Sequence, residues 1–276
     1  MSALPTRRDE AWRYSDLTAL GEVWPENVST SREIVVGAGE TRALTERLTG
    51  AGWRNERVAV SVATGGRLDL SIVQARDIGS VTTQLYTIEI AAGASAQLDI
   101  LQHGSRFGRI AVEVTMGDGA DFELNGVNLA RGSQTLEIVT TMRHVEPNGT
   151  SRQTMRIVVD DRAVGNYLGK VAVARDAQKT DASQSVKALL LARTATANAK
   201  PELEIFADDV KCAHGATVGE LNRDALFYME SRGIDPASAK ALLTQAFIGD
   251  ALDKVRDEAV REAMSAEAIA WLEYKA

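Results

Sequence analysis

From Trp53 onward, apolar residues recur at every second position in short runs, and the runs are cut apart by Gly, Asp, Asn and Ser. Val58, Val60 and Val62 alternate with Ala59 and Ser61, and Leu68, Leu70 and Ile72 alternate with Asp69 and Ser71. Ile88 and Ile90, Leu98 and Ile100, Val112 and Val114, Phe122 and Leu124, and Leu136 and Ile138 continue the pattern. A helix would scatter such residues around its circumference, whereas a strand gathers them on one face. Each run therefore predicts a short, half-buried strand that ends in a turn.

The runs also resemble one another. Ile88-Glu89-Ile90, Gly93 and Ala96-Gln97-Leu98-Asp99-Ile100 align at constant offset with Val112-Glu113-Val114, Gly117 and Ala120-Asp121-Phe122-Glu123-Leu124. Val127-Asn128-Leu129, Gly132 and Leu136-Glu137-Ile138 make a looser third pass. Repeated strand–turn–strand units with small residues at fixed places suggest a solenoid, each coil burying its apolar edge against the next. A β-sandwich satisfies the same alternation, so periodicity leaves both open; the spacing is too irregular for a hexapeptide helix. Further strands are expected over 155–159, 163–174, 185–191 and 210–217, and over 202–206, which Pro201 opens.

The two ends read differently. Residues 9–20 suggest a short helix or irregular arm with Trp12, Tyr14 and Leu17 as apolar contacts, and 41–49 a turn or two of helix stopped by Gly50 and Gly52. After Gly219 the spacing becomes helical. Leu221, Leu226 and Met229 lead to a stop at Ser231-Arg232-Gly233, and Pro236 sits in the first turn of a helix carrying Ala239, Leu242, Leu243, Ala246 and Phe247. A third helical run covers 266–274. The 276 residues thus divide into an N-terminal arm with short helices (1–52), a β core (53–219) and a helical region (220–276), a length that one large β domain with an appendage accommodates.

Charge and composition narrow the partners. A net charge of −7 and a pI near 5.2 argue against nucleic acid, whose phosphates reward a basic face. No apolar run approaches the roughly 20 residues of a membrane helix, and the basic residues near the N-terminus have no apolar stretch of a secretory signal behind them. The single cysteine, Cys212, can form no intramolecular disulfide, which fits a reducing cytosol. A soluble, cytoplasmic protein is expected.

The most unusual local string is Asp208-Asp209-Val210-Lys211-Cys212-Ala213-His214-Gly215-Ala216-Thr217. On an extended strand Cys212 and His214 point to the same side. A thiolate and an imidazole on one face make a soft donor pair suited to iron–sulfur, zinc or copper. Two ligands do not complete a tetrahedral site, so the pair reads as half of a site shared with a partner. The blander alternative is a small buried cysteine beside a structurally hydrogen-bonded histidine. A nucleophilic Cys–His pair lacks an orienting acid. Glu202, Glu204, Asp208 and Asp209 flank the pair as solvated charges, and His103 and His144 read as turn or surface residues. No phosphate-binding Gly loop appears. Aromatic residues make up only 5% of the chain, and no acidic cluster on stacked strands supports a carbohydrate-active β-helix.

This string, together with Pro201-Glu202-Leu203-Glu204-Ile205, resembles the signature of the SufB/SufD family of iron–sulfur cluster assembly, and Cys212-Ala213-His214-Gly215-Ala216-Thr217 is similar to its SufD branch. The likeness continues in Leu226-Phe227-Tyr228, Ser231-Arg232-Gly233-Ile234 and Ala246-Phe247. It also includes His144 with Ser151, Gly169-Lys170-Val171, Gln184 with Leu189-Leu190-Leu191, and Pro5-Thr6-Arg7-Arg8-Asp9-Glu10-Ala11-Trp12-Arg13-Tyr14. Set against that family, the chain is expected to be a short form without much of the N-terminal helical region of longer members.

The resemblance implies a right-handed parallel β-helix with a short N-terminal segment and a C-terminal α-helical domain. It implies a non-catalytic scaffold that pairs with a SufB-like subunit and carries a SufC-like ATPase on its helical region, through Leu226, Phe227, Tyr228, Arg232 and Phe247. His214, with Cys212 ranked below it, would meet a nascent cluster at the interface. No tightly bound cofactor is expected in the isolated chain, only transient iron or an iron–sulfur cluster in the complex. A homodimer when isolated, no nucleic acid and no membrane complete the expectations. A metal-free partner that stabilises SufB and recruits SufC is the alternative.

Overall fold

The computed structural model describes residues 4–24 and 29–273. Fourteen strands run in chain order as β1 (Ser29–Val36), β2 (Thr41–Leu48), β3 (Trp53–Val62), β4 (Arg67–Gln74), β5 (Val81–Ile90), β6 (Ser95–Gln102) and β7 (Phe107–Met116). They continue as β8 (Asp121–Ala130), β9 (Thr135–His144), β10 (Thr150–Val159), β11 (Val164–Val173), β12 (Asp181–Leu190), β13 (Thr196–Ile205) and β14 (Lys211–Glu220). Odd-numbered strands form one seven-stranded sheet and even-numbered strands the other. Every pairing is parallel and skips one strand. The result is a parallel β-solenoid of seven coils, two strands per coil, which excludes the sandwich.

The alternation works as read. Val58, Val60, Val62, Leu68, Leu70, Ile72, Ile88, Ile90, Leu98, Ile100, Val112, Val114, Phe122, Leu124, Leu136 and Ile138 share one interior core between the sheets. Each such side chain removed from water contributes about 1.5–3 kcal/mol.

Two details of the repeat differ from expectation. Ile88 stands beside Val114 and Ile90 beside Met116, so the alignment of Ile88 with Val112 is two residues out. A two-residue error preserves the face of every side chain, because the strand period is two. The true coil offset is 26 residues there, and it reaches 32 where Val164 pairs with Thr196.

The corners hold this register. Gly39, Gly65, Gly93 and Gly119 adopt positive φ, and Asn148 and Lys179 occupy the equivalent corners with φ of 63° each. Each of these six donates its backbone N–H to the corner of the next coil, from Gly39 to Thr64 O through Lys179 to Asp209 O.

The solenoid starts earlier than residue 53. Residues 41–49, expected as helix, form β2 instead, and β1 precedes it. Pro201 lies in the middle of β13 and does not open it. At the other end α2 (Arg223–Ser231), α3 (Pro236–Leu252) and α4 (Glu258–Glu273) follow β14. Asn222 and Asp235 cap the first two through side-chain oxygens, and Gly233 adopts positive φ just beyond the first. The helix expected over 266–274 starts eight residues earlier, and Tyr274 lies outside the described residues.

Helices α3 and α4 pack against the outer face of the even-numbered sheet, where Ile248, Leu252, Val255 and Met264 meet Val73, Leu101, Val127, Leu129, Val158 and Leu189. Arg156 reaches Asp250 from that sheet. The N-terminal arm lies across the opposite sheet. It contains a short 3-10 turn (Glu10–Trp12) and the helix α1 (Leu17–Gly21). The guanidinium of Arg109 sits 3.9 Å from the Trp12 ring centre, Ser15 Oγ donates to Glu137 Oε2 at 2.7 Å, and Leu20 packs with Val81 and Phe107.

Candidate functional site

The last coil is open. Residues of β12 alternate between buried and partly exposed, whereas β14 is exposed along most of its length. Each of β13 and β14 is the terminal strand of its sheet. Cys212, His214, Ala216 and Val218 are the register partners of Ala182, Gln184, Val186 and Ala188. Ala182, Val186 and Ala188 belong to the interior core, so Cys212 and His214 occupy inward positions of a coil that nothing in the described residues closes. Cys212 packs partly against that core, and burial pushes its thiol up. His214 is exposed.

The backbone at this edge is open as well. Lys211 donates its N–H to Thr180 O. Backbone groups alternate in direction along a strand, so the N–H and C=O of Cys212, His214, Ala216 and Val218 face outward. On β13, Thr196 donates to Ala163 O and Phe206 to Val173 O, which turns position 201 toward the open edge. Pro201 has no N–H to offer there. Strand β14 therefore presents an uninterrupted edge and β13 a broken one.

Three of the four flanking carboxylates are engaged elsewhere. Glu204 pairs with Lys170, Glu202 with Lys200 and Asp209 with Lys179. Lys200 also pairs with Glu10, which ties the N-terminal arm to β13. Among the described residues no three His, Cys, Asp or Glu side chains come together in a set that could hold a metal ion. No helix among them is long and apolar enough to cross a membrane.

The other two histidines divide. His103 occupies the turn after β6, half-buried, 2.5 Å from Glu267 Oε1. His144 is not at the surface: it is fully buried at the end of β9, with Nε2 2.8 Å from Ser151 Oγ. Burial pushes the His144 imidazole down to about 4.

Among the helical candidates, α2 buries no residue. Phe227 is 73% and Tyr228 59% exposed, and the Arg232 guanidinium lies 5.1 Å from the Tyr228 ring centre. Leu226 is half-buried. Phe247 is set apart, because it packs onto the helix–sheet cluster beneath Arg156.

One cluster escaped the sequence reading. Inside the solenoid, Thr140 Oγ1 and Tyr167 Oη both reach Gln153 Oε1, at 2.7 and 2.9 Å, and Gln184 Nε2 donates to Tyr167 Oη at 3.5 Å. All four side chains are buried. Their inward spacing was visible, but polar residues at inward positions carry no signal in a hydrophobic pattern.

With the fold and the open edge in place, comparison with known proteins is decisive. A family model described as "SUF system FeS cluster assembly, SufBD core domain" matches residues 26–247. The chain belongs to the SufB/SufD family. Relatives named SufD, from Escherichia coli and Bacillus subtilis among them, identify it as a SufD-type member. Protein ABCI7, chloroplastic, of Arabidopsis thaliana is 33% identical over 212 residues, which cover 76% of this chain and 45% of that one. A SufBD family protein of Synechocystis is 34% identical over 183 residues, covering 65% and 40%. The E. coli iron–sulfur cluster assembly protein SufD is 33% identical over 146 residues, covering 53% and 34%. The matched part of the chain spans less than half the length of these three SufB/SufD relatives.

Proposed function

We propose that this chain is a non-catalytic scaffold subunit for iron–sulfur cluster assembly that pairs through its open last coil with a SufB-like subunit. The observation that carries the reading is the coincidence of Cys212 and His214 with the unpaired backbone of β14. A partner strand that satisfies those N–H and C=O groups also brings its own side chains to the same mouth. The chain supplies too few donors alone, and a partner supplies the remainder. His214 acts as an imidazole ligand of the nascent cluster, which is cargo. Cys212 ranks second, because burial disfavours its thiolate.

The exposed α2 face, with Phe227, Tyr228 and Arg232, is the surface offered to a SufC-like ATPase. A shift of α2 passes to α3, and from α3 to the even-numbered sheet through the apolar contact of α3 with that sheet and the Arg156–Asp250 pair. Co-expression with SufB-like and SufC-like partners from the same genome, followed by size exclusion and subunit quantification, tests the reading. One copy of this chain per stable complex is expected. Failure to co-elute with folded partners would remove the scaffold role. The metal-free alternative predicts the same complex with iron and sulfide content indifferent to His214 and Cys212.

A further inference from the structure

Gln184 faces the solenoid interior from β12 and is 3% exposed. Its Nε2 is committed to the Tyr167 hydroxyl, and its Oε1 is buried with no hydrogen-bond partner. Tyr167 is itself held in place. Its hydroxyl donates to Gln153 Oε1 and lies 2.9 Å from Thr140 Oγ1. A Cβ at Gly169 would collide with the ring, so the glycine leaves the space the tyrosine needs. The Gln184 amide is thus anchored by its nitrogen, and its oxygen is the free end.

A buried carbonyl oxygen without a donor is unfavourable. The register partner of Gln184 is His214, at the same inward position of the next coil. Paired strands lie about 4.8 Å apart, which puts the two side chains side by side. Tyr167 lies on the opposite sheet, and His214 is exposed and not bonded to the free oxygen as it stands; a turn of the His214 side chain about its own bonds would direct a ring N–H toward that oxygen.

We infer that Gln184 is a positioning residue for His214: its Oε1 accepts one imidazole N–H, which leaves the other ring nitrogen with its lone pair toward the open end. Metal-ligating histidines commonly need such a second contact to fix tautomer and ring orientation. The inference rests on the reading of His214 as a cluster ligand for its purpose, but the hydrogen bond stands or falls independently of that reading.

The test is nitrogen-15 NMR of the full chain, in which the His214 ring signals are assigned by their loss in His214→Ala. A ring N–H open to water exchanges too fast to observe, whereas a hydrogen-bonded one persists. The N–H is expected in the wild type, lost in Gln184→Leu, and retained in Gln184→Glu, which keeps both length and acceptor. Unchanged His144 signals report an intact interior in each variant. Absence of the N–H from the wild type, or its persistence in Gln184→Leu, overturns the inference. Iron affinity of the co-expressed complex is measured separately and is expected to fall about tenfold in Gln184→Leu. A complex whose iron affinity ignores His214→Ala would instead remove the ligand reading and leave the hydrogen bond in place.

Discussion

Arg32 and Glu46 meet at 2.5 Å inside the first coil, on inward positions whose partners in the next coil are Val58 and Ile72. Glu46 also accepts from the Tyr86 hydroxyl at 2.9 Å, and Arg32 donates to Glu56 Oε1 at 3.0 Å. Burial alone would raise the Glu56 carboxyl, but hydrogen bonds from Arg32, Arg54 and Gln84 outweigh it and hold it below the usual range. Glu56→Ala strips three donors of a charged acceptor in one step. A loss of about 2–3 kcal/mol is expected, read as a lower urea midpoint with unchanged slope.

The edge of β14 gives a paired test. The N–H of Ala216 faces outward and that of Thr217 faces β12, so the two positions differ in what proline would remove. Ala216→Pro is expected to leave the melting temperature of the isolated chain within a few degrees while abolishing co-elution with a SufB-like partner. Thr217→Pro breaks a bond of the ladder and is expected to destabilise the chain itself. Equal behaviour of the two variants would contradict the edge assignment.

Close packing beside the buried hydroxyl cluster can be probed at Gly165. A Cβ there would approach Ile157 Cγ2 to 2.6 Å and Val159 Cγ2 to 2.9 Å. Both neighbours are β-branched and turn poorly out of the way. Gly165→Ala is expected to cost about 1–3 kcal/mol, measured by chemical denaturation.

Two buried groups make opposite contributions to acid stability. His144 is fully buried, and its folded value of about 4 lies below the unfolded value of about 6.5. Its contribution is present above pH 6.5 and is lost as pH falls toward 4. Asp99 is pushed up to about 6 by burial, above an unfolded value of about 3.9. Its contribution is present below pH 4 and is lost as pH rises through 6. Each change is about 3 kcal/mol at full extent. Relative to the wild type, Asp99→Asn is therefore expected to gain stability from pH 4 to 7, and a flat difference across that range would refute the assignment.

The same interior pairs explain what the sequence conceals. Alternation alone located most strands from β3 to β14, because their inward residues are mainly Val, Ile, Leu and Phe. It failed at β2, where Glu46 takes an inward place and Ala43, Leu44 and Leu48 fall at helical spacing. Only the contacts of Arg32 and Tyr86 make that glutamate tolerable, and they come from other strands. At the site, Cys212 and His214 were legible as one face of a strand. Their neighbours were not. Gln184 is 30 residues earlier than His214, and no local pattern announces that the coil offset at that point is 30. Phe247 has the composition of a docking residue, and only the packing of α3 on the sheet shows that its ring is already occupied.

The stacked corners from Gly39 to Lys179 have a consequence for how such a chain can change over generations. Each corner repeats the same backbone bond to the next, so a duplication or deletion of one whole coil restores the pattern, whereas an odd-numbered change within a strand reverses every side chain beyond it. Heritable length variation is then confined to corners and to complete coils. The offset between paired strands, 26 residues from β1 to β3, is 32 from β11 to β13, so the longest coils lie at the end of the solenoid where Cys212 and His214 stand.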